Sequence, residues 1–169
     1  YITSYKSTKK PLYINRYSGF SSDYRYTIRE CRIYVFESKN FSGCIFGDED
    51  SRYWTQTMKR GPKQQFYNPI WQNESRISSL KRQLALEADA FKSYVVFSDQ
   101  CTLKKMYVRS GRVKVMNRSM IVREIIKDMA ELPDIFTPLE INQIYSELVP
   151  YTHTAAAIEQ ARIETVRLE

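Results

Sequence analysis

A carboxylate and an amine stand two residues apart at the charged end of an otherwise apolar segment, Ile33-Tyr34-Val35-Phe36-Glu37-Ser38-Lys39-Asn40. Side chains alternate faces along a strand, so Glu37 and Lys39 are expected to share one face. Two opposite charges at the exit of a buried strand are costly unless they pair with each other or bind a metal ion or a phosphate. The pattern therefore indicates either an ordinary salt bridge or the site of a metal-dependent phosphodiesterase.

Phosphodiester hydrolysis with a divalent cation would need oxygen ligands, because Mg²⁺ prefers carboxylate and carbonyl oxygens. Glu37 is the first candidate ligand and the backbone carbonyl of Ser38 is a second, while Lys39 could orient a water molecule or neutralise developing charge. A further carboxylate should come from the preceding strand, where the upstream choices are Asp23 and Glu30. Glu30 is expected in the turn, far from Glu37, so Asp23 is preferred, although it could equally be a loop residue.

The bulk properties describe one globular unit. The chain has 169 residues, of which 43% are hydrophobic, and three isolated cysteines, with no apolar run long enough to cross a bilayer and no signal-like segment. These features predict a cytoplasmic protein with reduced cysteines and no membrane partner. The formal charge of +7 favours a polyanionic partner such as nucleic acid.

Basic residues and aromatic residues alternate in a segment over 1–22 that contains no acidic residue. Lys6, Lys9, Lys10 and Arg16 are candidate nucleic-acid contacts there, and Arg76, further along the chain, is another. A solvated arm explains the N-terminal segment equally well. Residues 23–169 are expected to form a single domain after it.

Hydrophobic periodicity predicts a mixed-sheet α/β domain. We expect strands over 24–28, 33–39, 44–46, 52–57, 92–98 and 112–116, a helix from Pro69, and two further helices capped by Ser119 and by the Thr137–Glu140 capping box. Strands first, then a helix, two strands and two helices is a typical order for such a fold.

An ordered set of short motifs extends far beyond the charged pair. After residues 33–43 come Ile45-Phe46-Gly47, Trp54, Phe66-Tyr67-Asn68-Pro69-Ile70 with Gln72-Asn73, and Tyr94-Val95-Val96-Phe97-Ser98 with Cys101-Thr102-Leu103-Lys104-Lys105. In order and spacing this set resembles the nuclease-related domain, NERD, a family of the PD-(D/E)xK restriction-endonuclease-like superfamily. The resemblance covers about residues 23–116 and leaves C-terminal helices over 119–169.

The resemblance implies a metal-dependent nuclease, a hydrolase acting on DNA, with a restriction-endonuclease-like mixed β-sheet flanked by helices. It implies that Asp23 and Glu37 bind Mg²⁺ or Mn²⁺, that Lys39 is the catalytic lysine and that Gln72 on the following helix faces the site. The alternative for Gln72 is an exposed helix residue. DNA processing or defence against foreign DNA is the implied setting.

Two other classes of function stay open. The family usually carries a Gly-Glu pair on an N-terminal helix, and this sequence contains none, which favours a catalytically impaired DNA-binding module of nuclease-like fold. A structural or oligomerisation domain would leave Glu37 and Lys39 as a salt bridge. No Gly-rich phosphate loop is present, so no nucleotide cofactor is expected, and the domain could act as a homodimer or within a larger multidomain protein.

Overall fold

Two β-sheets and three helices form the part of the chain that a computed structural model describes, residues 13–14, 25–58 and 61–148. In chain order the strands are β1 (Tyr13–Ile14), β2 (Arg25–Ile28), β3 (Ile33–Lys39), β4 (Gly43–Asp48), β5 (Tyr53–Thr57), β6 (Gln64–Tyr67), β7 (Phe91–Phe97), β8 (Cys101–Tyr107) and β9 (Val113–Asn117). The helices are α1 (Pro69–Leu84), α2 (Ile121–Glu131) and α3, which includes residues 138–148.

The first sheet has the strand order β1-β2-β3-β7-β9 and holds the charged strand at its centre. β3 pairs antiparallel with β2 on one side and parallel with β7 on the other, and β9 extends the sheet in parallel. A central strand flanked on both sides is apolar over most of its length, and Ile33 to Phe36 are all buried. The mixed α/β architecture predicted from the sequence is confirmed, and it is consistent with a nuclease-like fold.

The second sheet has the order β6-β5-β4-β8 and follows directly from the end of β3. Gly47 lies across from Trp54, and a Cβ atom at Gly47 would come within 2.5 Å of the indole ring. Glycine is therefore required there. Trp54 in turn stacks on Phe97 of the first sheet, with ring centroids 6.1 Å apart, and it is buried, so Trp54 packs the two sheets together.

Helix α1 begins where its local sequence predicts. The Asn68 side chain accepts a hydrogen bond from the Ile70 amide at 2.9 Å, and Pro69 occupies the first helical position. The same Asn68 amide group donates to the carbonyls of Glu49 and Ser51 at 3.0 and 2.8 Å. One buried side chain therefore starts the helix and fixes it to the turn between β4 and β5.

The helices after β9 start differently from each other. The capping box is confirmed, because Thr137 Oγ1 accepts from the Glu140 amide at 3.3 Å and Glu140 Oε2 accepts from the Thr137 amide at 2.7 Å. The prediction that Ser119 caps α2 is wrong. A 3₁₀ turn over residues 118–120 leads into α2, and no side chain caps it; the Ser119 amide instead donates to Asp99 Oδ1 at 3.1 Å.

Three apolar cores pack against the first sheet, two on one face and one on the other. On one face α1 and α3 cover β3 and β7, and next to them the second sheet packs on β7 and β9; α2 covers the other face. The three cores contain, in turn, Ile33, Val35, Phe91, Ile141 and Leu148; Ile45, Trp54, Ile70, Val95 and Phe97; and Tyr34, Phe36, Tyr94, Val96 and Met116.

Over the described ranges, none of the helices combines the length and apolar character that crossing a bilayer demands.

Candidate active site

The charged side chains at the end of β3 lie on the sheet face that α1 covers. Glu37 and Lys39 stand opposite Val95 and Phe97 of β7 and share their face with Val35. Glu37 is only 4% exposed, whereas the Ser38 side chain between the two charges is exposed. The alternation predicted from the sequence therefore brings the carboxylate and the amine to one face.

Both oxygens of the Glu37 carboxylate contact cationic side chains. Lys39 Nζ lies 2.7 Å from Glu37 Oε1, and Arg76 Nη1 contacts Glu37 Oε2. Arg76 comes from α1, so the carboxylate joins the strand to the helix. A buried carboxylate with a cation on each oxygen has its charge compensated without solvent.

Gln72 completes the cluster from the same helix. Lys39 Nζ donates a hydrogen bond to Gln72 Oε1 at 2.7 Å. Gln72 and Arg76 are four residues apart, which places them on one side of α1. One connected group therefore contains Glu37, Lys39, Gln72 and Arg76. The salt bridge between Glu37 and Lys39, which the sequence analysis considered as one alternative, is part of this group.

Burial lowers the pKa of Lys39 below its ordinary value, even though the amine is paired with Glu37. Desolvation disfavours the charged form of a lysine, which is the cause of this shift.

Asn73, next to Gln72, is fully buried between α1 and the sheet. Its Nδ2 donates to the Val35 carbonyl at 2.9 Å and to Ser93 Oγ at 2.8 Å. These bonds hold α1 against β3 and β7. Asn73 therefore fixes the position of the helix turn from which Gln72 contacts Lys39. The sequence gives one signal of this role, a polar residue between Ile70 and Ile77 on the apolar side of the helix.

The remaining candidate residues belong to the N-terminal part of the sequence. Lys6, Lys9, Lys10, Arg16 and Asp23 lie outside the described residues. Within the described ranges no three histidine, cysteine or acidic side chains come together as a metal-binding group.

A second polar cluster lies on the opposite face of the first sheet and was not predicted. The Tyr94 hydroxyl donates to Asp128 Oδ2, and Lys114 Nζ donates to Asp128 Oδ1 at 2.7 Å and to Glu124 Oε2 at 3.1 Å. The pKa of Tyr94 is raised, chiefly by burial and next by the hydrogen bond to Asp128. The cluster joins β7 and β9 to α2, so its role is to attach that helix.

The mixed α/β fold that carries the cluster at the end of β3 is consistent with a nuclease-like fold. Residues 27–98 match the family model of the nuclease-related domain, NERD. The matched segment contains Glu37, Lys39, Gln72 and Arg76.

One relative is a protein of Bacillus anthracis that is named only as uncharacterized. It is 33% identical to this chain over 89 residues, which are 53% of this chain and 41% of the relative. The chain thus spans about two fifths of that protein. No solved structure gave a significant match.

Proposed function

We propose that this domain is a metal-dependent nuclease that hydrolyses phosphodiester bonds of DNA, with a catalytic centre of the PD-(D/E)xK type at the end of β3. The observation that carries the proposal is the connected cluster of Glu37, Lys39 and Gln72 inside the segment that matches the nuclease-related domain. The net charge of +7 suits a polyanionic substrate.

The proposed cation is Mg²⁺ or Mn²⁺, because the site offers oxygen donors of the kind that these ions prefer. Glu37 supplies a carboxylate and Ser38 a backbone carbonyl, and Mg²⁺ in nucleases and polymerases usually takes one or two carboxylates and keeps several water molecules. Asp23 is the proposed second carboxylate. When bound, the cation polarises the phosphate and lowers the pKa of a coordinated water molecule.

Lys39 and Gln72 have complementary roles in the proposed reaction. The Lys39 ammonium can donate to a phosphate oxygen as negative charge develops there. Gln72 Oε1 holds the amine in place at 2.7 Å. The Gln72 amide nitrogen is a neutral donor, so it can bind phosphate or water without competing for the metal.

The cysteines support a cytoplasmic setting for this activity. Cys31, Cys44 and Cys101 are all free thiols, and proteins in reducing compartments keep their cysteines in this state. DNA processing or defence against foreign DNA remains the proposed context.

Cleavage assays test the proposal directly. Plasmid, linear and single-stranded DNA are incubated with the purified protein and Mg²⁺ or Mn²⁺, alongside Glu37→Gln and Lys39→Met. We expect the wild type to cut and each variant to lose at least about a hundredfold in rate, the usual contribution of positioned charge at such a centre. Glu74→Gln removes an exposed carboxylate from α1 and should leave the rate unchanged.

Equal cleavage by all four proteins would contradict the assignment of the site and would indicate a contaminating nuclease. Loss of activity in Glu74→Gln as well would indicate a general effect of charge rather than a specific role of Glu37.

A DNA-binding module without activity is the second candidate function. The observation that favours it is the contact of Arg76 with Glu37, because the guanidinium occupies a carboxylate oxygen that a catalytic metal ion would need as a ligand. This alternative predicts DNA binding in every metal tested, no cleavage, and an affinity that falls steeply as salt increases.

A further inference from the structure

The contact between Arg76 and Glu37 has a direct bearing on how the proposed metal site operates. A divalent cation at Glu37 needs at least one free carboxyl oxygen, and both are engaged by cationic side chains. One of the two side chains must therefore give way when the metal binds.

The two cationic side chains reach Glu37 from different elements. Lys39 contacts Glu37 Oε1 and Gln72 Oε1, each at 2.7 Å, and it follows Glu37 on the same strand. Arg76 reaches Glu37 Oε2 from the separate helix α1. The two side chains are almost equally exposed, at 19% and 20%, so the choice between them follows from the proposed reaction, in which Lys39 stays at the site and Arg76 is the side chain that moves away.

We propose that Arg76 and the divalent cation compete for Glu37, and that Arg76, once displaced, binds a phosphate of the DNA. This inference rests on the proposed nuclease site. A guanidinium forms paired hydrogen bonds with carboxylates and phosphates alike, so the same side chain can serve first the metal-free carboxylate and then the substrate. Arg76 thus competes with the metal for Glu37 and, once displaced, is a binding residue for DNA.

Competition makes a quantitative prediction about metal affinity. If the conformation with Arg76 away from Glu37 is about one tenth of the metal-free population, the apparent dissociation constant is about tenfold weaker than that of the open site. Arg76→Met removes the charge and keeps an apolar stem of similar length. We therefore expect Arg76→Met to bind Mn²⁺ about tenfold more tightly than the wild type.

Mn²⁺ binding to the full chain can be measured by the EPR signal of the free ion or by calorimetry, without any turnover. Arg82→Met is the matched control, because it removes the same charge from an exposed position near the end of α1. It should leave Mn²⁺ affinity within about twofold of the wild type. Melting curves of both variants establish that they are folded.

DNA affinity tests the second half of the proposal. Fluorescence anisotropy with labelled DNA is measured with Ca²⁺, chosen as a metal that occupies oxygen sites, and with a chelator. Arg76→Met should weaken DNA binding with metal and have little effect without metal, because in the metal-free protein Arg76 is engaged by Glu37. An equal loss under both conditions would refute the transfer of Arg76 to the phosphate.

Unchanged Mn²⁺ affinity in Arg76→Met overturns the competition, and so does the absence of Mn²⁺ binding in both proteins. These outcomes are separable from failure of the proposed activity. If Arg76→Met binds Mn²⁺ more tightly and DNA is never cut, the nuclease proposal is wrong and the competition stands. If DNA is cut while the wild type and Arg76→Met bind Mn²⁺ equally tightly, the competition is wrong and the nuclease proposal stands.

Discussion

Replacing Glu37 by Gln should destabilise the protein even without metal or DNA. The carboxylate is buried and compensates Lys39 and Arg76. A glutamine of nearly equal size removes the negative charge that faces both cationic groups and keeps the shape of the packing. The effect on the free energy of unfolding therefore isolates the electrostatic part of the cluster.

Removing one partner of a buried ion pair costs about 3–5 kcal/mol. The side chains of Lys39 and Arg76 keep 19% and 20% of their surface exposed, so water replaces part of the lost interaction. We expect the lower end of the range, about 3 kcal/mol. For a chain of this size that corresponds to a decrease of about 6–12 °C in melting temperature.

Urea titrations followed by circular dichroism and tryptophan fluorescence measure this loss, with Glu74→Gln as the control for removal of an exposed carboxylate. Adding Arg76→Met to Glu37→Gln should recover part of the stability, since the double variant also removes one of the two cations that face the former carboxylate. A change below about 0.5 kcal/mol for Glu37→Gln, the size usual for surface substitutions, would refute the arrangement in which one buried carboxylate holds two cations.

Three further predictions concern the elements that support the site. Gly47→Ala should lower stability by about 1–3 kcal/mol in urea titrations, because its Cβ would overlap the Trp54 ring; an unchanged midpoint would contradict that contact. Asp128→Ala should cost about 3 kcal/mol by removing a buried partner of Lys114, and it should leave Mn²⁺ affinity at the opposite face unchanged. Burial lowers the pKa of Lys114, but its hydrogen bonds to Asp128 and a neighbouring carboxylate outweigh burial and raise it. The stability that Lys114 contributes should therefore be complete below the ordinary lysine pKa of about 10.4 and be lost as the pH rises through the raised pKa, which a series of unfolding titrations from pH 9 upward would detect. Thr137→Ala should cost about 1 kcal/mol through loss of the helix cap, and a stability equal to the wild type would exclude that role.

The sequence predicts the strands and helices that have a strong local pattern. β3 has an uninterrupted apolar run, and α1 begins with Asn68-Pro69, a combination that fixes a helix start without tertiary help. Both predictions are confirmed. β6 was missed because it lies at the edge of its sheet, where Gln64 and Gln65 are exposed and Phe66 alone packs inward.

β8 was missed because a bulge breaks its alternation. Phe46 pairs with Lys104 and Gly47 with Met106, so Lys105 is an extra residue, with φ of 34°. The bulge moves the inward positions from every second residue to Leu103 and Met106. No local rule applied to the sequence accounts for that shift, because it depends on the neighbouring strand.

The candidate site also contains residues that the sequence identified and a contact that it did not. Glu37 and Lys39 were found from their spacing on one strand, and Gln72 from the resemblance to the nuclease-related domain. The contact of Arg76 with Glu37 depends on the distance between α1 and β3, which the buried Asn73 sets. Ion-pair partners that come from separate elements cannot be read from spacing along the chain.

The parallel pairing of β3 with β7 links the site to the order in which the chain leaves the ribosome. Val95, the register partner of Glu37, is synthesised more than fifty residues after it. Until then β3 has only β2 beside it, and pairing between distant segments is slow. A nascent chain that stops before Phe91 would therefore carry Glu37 without the strand that completes its burial, so the charged cluster can assemble only late in synthesis.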